Sequence, residues 1–383
     1  MNYIGLAFGA RLRRLLPIAC LAGWLVACDL EPAPSASPDP APAGQRLGFV
    51  VTRWQLPIPE ADPAACPQGL NPSEADYHGF TAEQRRDAAR PRFETEPIGG
   101  HPDTCRNPES FADPGFLTAR GDGPVLGLDL DGFHSSRMEP GPGTCPHDDF
   151  RGVAGERGID NQFWRLMGCV RGFQPKQVVQ EGQASSVNIK DGSFTLLIEV
   201  SGVDDVRSDG EVGVRVFSSR DSVQLDAAGN ILAGSSHSAH EDPRYHSEVA
   251  PGRIADGVLE AGPVDLHIEY KAQVYDTEYF LRDARIRMEL LPQPGGGARG
   301  VVAGYWDLES LYRYQAGHRR ARGAAVTLGY MCSGLYHALP RLADGHLDPE
   351  TGHCTSLSTV YAFDALPAFV IHRDLQTASA TYR

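Results

Sequence analysis

Residues 264–274 read VDLHIEYKAQV, and residues 284–290 read ARIRMEL. In the first run Val264, Leu266, Ile268, Tyr270, Ala272 and Val274 fall on one side, with Asp265, His267, Glu269, Lys271 and Gln273 on the other. In the second, Ala284, Ile286, Met288 and Leu290 alternate with Arg285, Arg287 and Glu289. Strict period two with one polar face predicts half-buried antiparallel strands, and Asp276-Thr277 between them suits a hairpin turn. Working outward, Phe194, Leu196, Ile198 and Val200 repeat the period, as do Val212, Val214 and Val216, and Leu47, Phe49 and Val51 mark a first strand. The class that follows is mainly β: an antiparallel β-sandwich or jelly-roll-like core over 124–292.

The flanks read differently. Residues 57–123 are rich in Pro, Gly, Asn and Asp and predict an irregular segment; within it Thr81 and Gln84 match a capping box for a helix at 82–89. After Pro292-Gln293-Pro294 and the glycines 295–297, which read as a linker, the alternation gives way to helical spacing. Asp307 is placed to cap a helix bearing Leu308, Leu311 and Tyr312. A second helix over 324–339 carries Leu328, Cys332, Leu335, Tyr336 and Leu339 on one face and is closed by Pro340 and Gly345. A final strand is expected near 358–363. The expected organisation is an irregular 46–123 stapled by disulfides, the β core, and an α+β part over 293–383 packed on it.

The N-terminus reads as a targeting signal. Arg11, Arg13 and Arg14 precede an apolar run from Leu15 to Ala27, thirteen residues where a spanning helix needs about 20. The run ends Leu25-Val26-Ala27-Cys28, which resembles the lipobox of bacterial lipoprotein precursors. That resemblance implies cleavage before Cys28, lipidation of its thiol, and a place on the periplasmic side of the cell envelope, with Asp29 favouring the inner membrane. Cys20, close behind Pro17, is the weaker candidate. Pro32, Pro34, Pro38, Pro40 and Pro42 make 28–45 a semi-rigid tether. Removing residues 1–27, with three Arg and no acid, moves the formal charge from −14 to −17. Such acidity argues against nucleic acid as a partner.

Six cysteines remain once Cys20 and Cys28 are set aside: Cys66, Cys105, Cys145, Cys169, Cys332 and Cys354. In an exported chain an even number predicts a disulfide framework. Sequence proximity favours Cys66–Cys105, Cys145–Cys169 and Cys332–Cys354.

Three groups of residues offer chemistry. Asp129, Asp131, Asp148, Asp149, Asp160 and Asn161 are hard oxygen donors in one loop-rich segment, and Gly132 permits the sharp turn that close donors need. They are candidate ligands for Ca²⁺, or else caps for turns. Asp-Leu-Asp-Gly, then Asp-Asn-Gln, an aromatic residue, Arg and Gly-Cys, resembles a pattern in exported bacterial proteins and implies an autonomous fold without an activity. His237, His240 and His246 in HSAHEDPRYH form a candidate transition-metal site, or else a solvated loop. His134 and His147, beside Asp148 and Asp149, form a candidate hydrolytic metal site or acid/base pair, or else a chance association. Neither G-x-S-x-G, a P-loop nor a dinucleotide fingerprint occurs. Trp164, Trp306 and Tyr305 are candidates for stacking on a ligand, or for the core. The reading is a membrane-tethered periplasmic lipoprotein, a non-enzymatic β-sandwich that binds a ligand or partner and is Ca²⁺-stabilised. The alternatives are a metal-dependent hydrolase and a periplasmic metal-handling protein.

Overall fold

A computed structural model describes residues 44–57, 64–71, 107–139, 141, 143–173, 187–272, 275–291, 296–320 and 332–372. The expected signal segment with Cys28, most of the expected tether, the helix expected at 82–89 and Cys105 lie outside the described residues. Ala43–Arg383 forms one compact unit.

The chain is mainly β and antiparallel, as its alternation predicts. Strands β1 (Gln45–Gln55), β2 (Thr195–Val203), β3 (Ser208–Ser219), β5 (Ala250–Ala255), β6 (Val258–Ala272), β7 (Tyr275–Leu290), β8 (Ala298–Asp307) and β10 (Cys354–Ile371) pair in that order. Instead of two separately laddered sheets, this is one sheet that closes on itself, because β10 also pairs with β1, Phe49 opposite Pro367 and Gln55 opposite Ala362. Closure leaves no open edge along this path. Short β4 (Ser235–Ser238) adds in parallel to the end of β10, and β9 (Gly345–Leu347) pairs with its start.

Strand β7 begins earlier than expected. Tyr270 pairs with Thr277, Lys271 with Asp276 and Ala272 with Tyr275, so Asp276-Thr277 belong to β7 and are not a turn. The alternation misses this first part of β7 because of a bulge further along. The inward residues of β7 are Tyr279 and Leu281, then Ala284, Ile286 and Met288, so the phase moves from odd to even. Asp283, at φ 51°, is the inserted residue. A reading that begins at 284 meets only the second phase. The expected border at 292 falls inside the β7–β8 hairpin, where Leu291 N–H donates to the Gly297 carbonyl at 2.9 Å. Strands β8 and β10 of the C-terminal part are therefore full members of the sheet.

Aromatic residues from six places in the sequence fill the interior. Trp54 stacks on Tyr361 at 4.7 Å, Phe194 meets Tyr270 at 4.9 Å, and Tyr279 meets Trp306 at 5.0 Å. Trp306 is thus core, not a ligand platform. Helices α1 (Gln162–Met167), α2 (Leu308–Arg320) and α3 (Cys332–Leu342) add Leu166, Leu311, Tyr314 and Leu335 to the same cluster. Asp307 caps α2 as expected, accepting from Ser310 N–H at 2.9 Å. Helix α3 runs through Pro340 to Leu342. The opposite face of β6 and β7 presents Asp265, Arg285, Arg287 and Glu289 to water, which suits an aqueous surface and not a lipid-facing barrel wall.

Strand β8 divides its side chains between two layers. Val302 and Trp306 enter the main core, whereas Val301, Ala303 and Tyr305 form a second cluster with Leu130 and Val360 on the outer face. The 125–160 segment lies on that outer face.

Candidate metal centre

Few long strands organise 125–160. Bridges join Leu128 to Asp160 and Phe150 to Ile159, and side chains do the rest. At Asp129-Leu130-Asp131-Gly132 the chain turns sharply. Asp129 Oδ1 accepts from Gly132 N–H at 2.7 Å, and Gly132 takes φ 75°, a conformation that costs other residues. Asp131 Oδ1 accepts from Phe133 N–H at 2.7 Å. Beneath the turn, Asp160 Oδ2 accepts from Leu130 N–H at 2.6 Å. Asn161 then caps α1 by accepting from Trp164 N–H, and Gln162 N–H donates to Ser358 Oγ on β10 at 2.8 Å.

These contacts bring Asp160 to His147. The His147 Nδ1 lies 2.7 Å from the Cys145 carbonyl, which can only accept, so Nδ1 carries a proton. That fixes the role of the other nitrogen. His147 Nε2 faces Asp160 Oδ1 at 3.0 Å and Asp149 Oδ1 at 3.1 Å. Ligand atoms of Asp131, His147 and Asp160 all lie within 4.8 Å of one another. Asp344, between α3 and β9, is buried beside the same group. Its Oδ1 accepts from Ser358 N–H at 2.7 Å, and its Oδ2 has no hydrogen-bond partner among the described residues; Asp149 Oδ1 lies close to His147 Nε2 but not in hydrogen-bond geometry.

The electrostatics are those of a charge deficit. Side-chain exposure is 0% at Asp160, 4% at His147 and 7% at Asp149. Burial lifts Asp160 to about 6, against its bonds from His147 and Leu130 N–H. It lifts Asp344 to about 7, against the His147 charge and the Ser358 bond. Asp131 is also raised by desolvation. For His147, burial opposes protonation, but the Asp160 bond, the Asp344 charge and the Cys145 carbonyl prevail and raise it to about 10. His147 and the neighbouring Arg165 offer two positive charges to the four acids Asp131, Asp149, Asp160 and Asp344, and buried carboxylates need protons or a cation.

The spacing suits a cation. Metal–donor bonds of about 2.0–2.2 Å set adjacent ligand atoms roughly 3 Å apart, the Nε2–carboxylate separation found here. Two clefts flank the group. One of about 490 Å³ reaches His147 and Arg165, and one of about 570 Å³ reaches Asp131, Tyr305 and Asp344.

Of the six acidic and amide residues read as Ca²⁺ ligands, only Asp131, Asp149 and Asp160 converge. Asp129 pairs with His134 at 3.0 Å and caps the turn at Gly132, Asn161 caps a helix, and Asp148 is exposed; Asp129 and Asn161 thus do the capping work that was the alternative. His134 is therefore outside the centre. His237, His240 and His246 do not converge either. His237 bonds Ser235 Oγ, His240 faces Glu269 at 3.1 Å, and His246 donates to the His240 carbonyl. Each imidazole already serves the loop's own packing. Asp344 and Tyr305 were not legible as parts of the site.

The disulfides differ from the proximity pairing throughout. Cys66 bonds Cys169 and Cys145 bonds Cys354, across 103 and 209 residues, and Cys332 is bonded to a residue other than Cys354. Both bridges among the described residues join distant parts of the chain that tertiary folding brings together, so spacing carries no signal for them. Cys145–Cys354 ties the carbonyl that orients His147 to the start of β10. Replacing both cysteines by Ser is expected to cost about 2–4 kcal/mol and to weaken metal binding as well. Thermal melts and metal titration of the double variant check both, and unchanged affinity would separate the bridge from the centre.

Comparison with known proteins gives no match: no family model fits the chain, and no curated protein or solved structure resembles it at a significant level.

Proposed function

We propose that this chain is an exported, lipid-tethered envelope protein whose domain binds a divalent transition-metal ion. His147, Asp131 and Asp160 are the ligands, with Asp149 and Asp344 supplying further charge. The observation that carries the metal reading is His147 Nε2, its partner nitrogen locked by a carbonyl, aimed between two carboxylate oxygens at 3.0 and 3.1 Å. An imidazole among the donors replaces the earlier Ca²⁺ expectation, because Ca²⁺ sites are built from oxygen and Zn²⁺ or Mn²⁺ accept mixed nitrogen and oxygen sets. The ion would clamp 125–160 onto β8 and β10, and the flanking clefts give a ligand access to it. The tether rests on the lipobox Leu25 to Cys28.

A second reading, a metal-dependent hydrolase, is favoured by one feature. Asp131 is exposed on the cleft side while Asp160 is buried, which leaves the solvent side of the ion open for water.

Elemental analysis of the purified chain, with calorimetric titration of Zn²⁺, Mn²⁺ and Ca²⁺ after EDTA treatment, tests the centre. Stoichiometric Zn²⁺ or Mn²⁺ binding that His147→Ala removes is expected. Melting indifferent to all three ions would end the metal reading. Equal turnover of chromogenic esters and phosphodiesters by the parent and His147→Ala would end the hydrolase reading alone.

A further inference from the structure

A different part of the molecule carries a second inference. Where β1 enters the sheet and β10 leaves it, a groove of about 750 Å³ is lined by Leu47, Val206, Leu291, Phe369 and Ile371. Nine large hydrophobic residues are exposed among the described ones, and three of them line this groove: Phe369 at 64%, Ile371 at 43% and Val206 at 43%. Apolar exposure concentrated in one place marks a contact surface.

We infer that this groove docks on the bilayer to which Cys28 would be attached; the inference rests on the lipid-anchor reading. The occupant follows from chain length. Gly44, the first described residue, lies sixteen positions along the chain from Cys28, and Arg46 and Leu47 already belong to the groove wall. Even as a fully extended proline-rich helix, at about 3.1 Å per residue, that tether reaches only about 50 Å. The groove therefore lies at the point of the domain closest along the chain to the anchor, and an anchored domain repeatedly presents it to lipid. At its rim Arg46 and Arg207 stand with Glu199, Asp256 and Glu289. The charges nearly balance, so insertion of Phe369, Ile371 and Val206 among acyl chains drives contact, and added salt leaves it unchanged. The anchor supplies attachment and the groove supplies orientation.

The test uses the full acylated chain in vesicles of phosphatidylethanolamine and phosphatidylglycerol, with Phe369→Trp as the probe. Trp54 and Trp306 are buried and the half-buried Trp164 does not line the groove, so the emission these share with the parent is subtracted and the difference isolates the new indole. The expected result is a blue-shifted difference emission that loses most of its intensity when the acyl chains are brominated. Adding Val206→Asp and Ile371→Asp removes that quenching while incorporation of labelled fatty acid at Cys28 stays intact. An indole at 369 that bromine does not quench, in a labelled chain, overturns docking and leaves the anchor standing. A blue shift without quenching that vanishes when residues 30–43 are deleted also overturns it, by showing that the tether fills the groove. Absence of label, compared with Cys28→Ala, overturns the anchor and this inference together.

Discussion

Asp160→Ala is expected to abolish metal binding and to lower the melting temperature on the order of 10 °C, the largest effect of any single substitution at the centre. Asp160 has no exposed surface, and its two oxygens perform separate tasks. One accepts from Leu130 N–H at 2.6 Å and so holds the Asp129–Gly132 turn; the other faces His147 Nε2 at 3.0 Å. Truncation leaves a buried N–H without an acceptor and a buried imidazolium without its closest counter-charge. Removing one partner of such a pair costs about 3–5 kcal/mol. Asp160→Asn divides the two roles, since its side-chain oxygen still accepts from Leu130 N–H while the ligand charge is gone. It should keep most of the stability and lose most of the metal affinity. Asp148→Ala is the contrast: the carboxylate is exposed and outside the cluster, so neither property should change. Differential scanning calorimetry and metal titration on the three variants decide the matter. Equal affinity in the parent and Asp160→Asn would remove Asp160 from the ligand set.

The sequence made some of this architecture legible. Alternation at 264–270 and 284–290 identified residues that do face the interior, because a half-buried strand leaves its pattern in consecutive residues. Closure could not be read in the same way. The pairing of Phe49 with Pro367 joins residues more than 300 apart, and the bulge at Asp283 erases the phase that a local reading relies on. The site divides along the same line. Asp131, His147, Asp149 and Asp160 stood out as donors within one segment. Asp344 is supplied by the connection after α3 and had no neighbour in sequence to mark it. Capping does not separate the six Ca²⁺ candidates, since Asp131 accepts from Phe133 N–H much as Asp129 accepts from Gly132 N–H; what sets Asp131, Asp149 and Asp160 apart is that the fold carries them to His147. The same limit explains the cysteines, because proximity along the chain is a poor guide when an irregular segment wraps a closed sheet.

Raising the pH should destabilise the metal-free protein across a wide range, and bound metal should remove most of that dependence. The sign follows from proton affinity. Asp344 titrates at about 7 in the fold against 3.8 for an ordinary aspartate, Asp160 at about 6, and His147 at about 10 against 6.5. In each case the folded cluster holds its proton more tightly than the unfolded chain does. Between about pH 4 and pH 10 the native state therefore binds more protons, and unfolding free energy falls as pH rises. The carboxyl contribution is lost between about 4 and 7. The His147 contribution is fully present below 6.5 and is lost on the way to about 10. Each tenfold difference in proton affinity is worth about 1.4 kcal/mol, so the total decline is on the order of a few kcal/mol once the coupling among these groups is allowed for. Urea unfolding of EDTA-treated protein at several pH values measures it. Asp344→Asn should flatten the lower part of the curve and His147→Asn the upper part. A metal ion takes the place of the proton on Nε2, so loading releases protons, with His147 the principal source near neutrality, and affinity climbs with pH. Calorimetry in buffers of different ionisation enthalpy reads that release directly. A flat stability profile in the metal-free protein, together with binding that liberates no proton, would mean that His147 is already neutral and that the buried acids are not held by its charge.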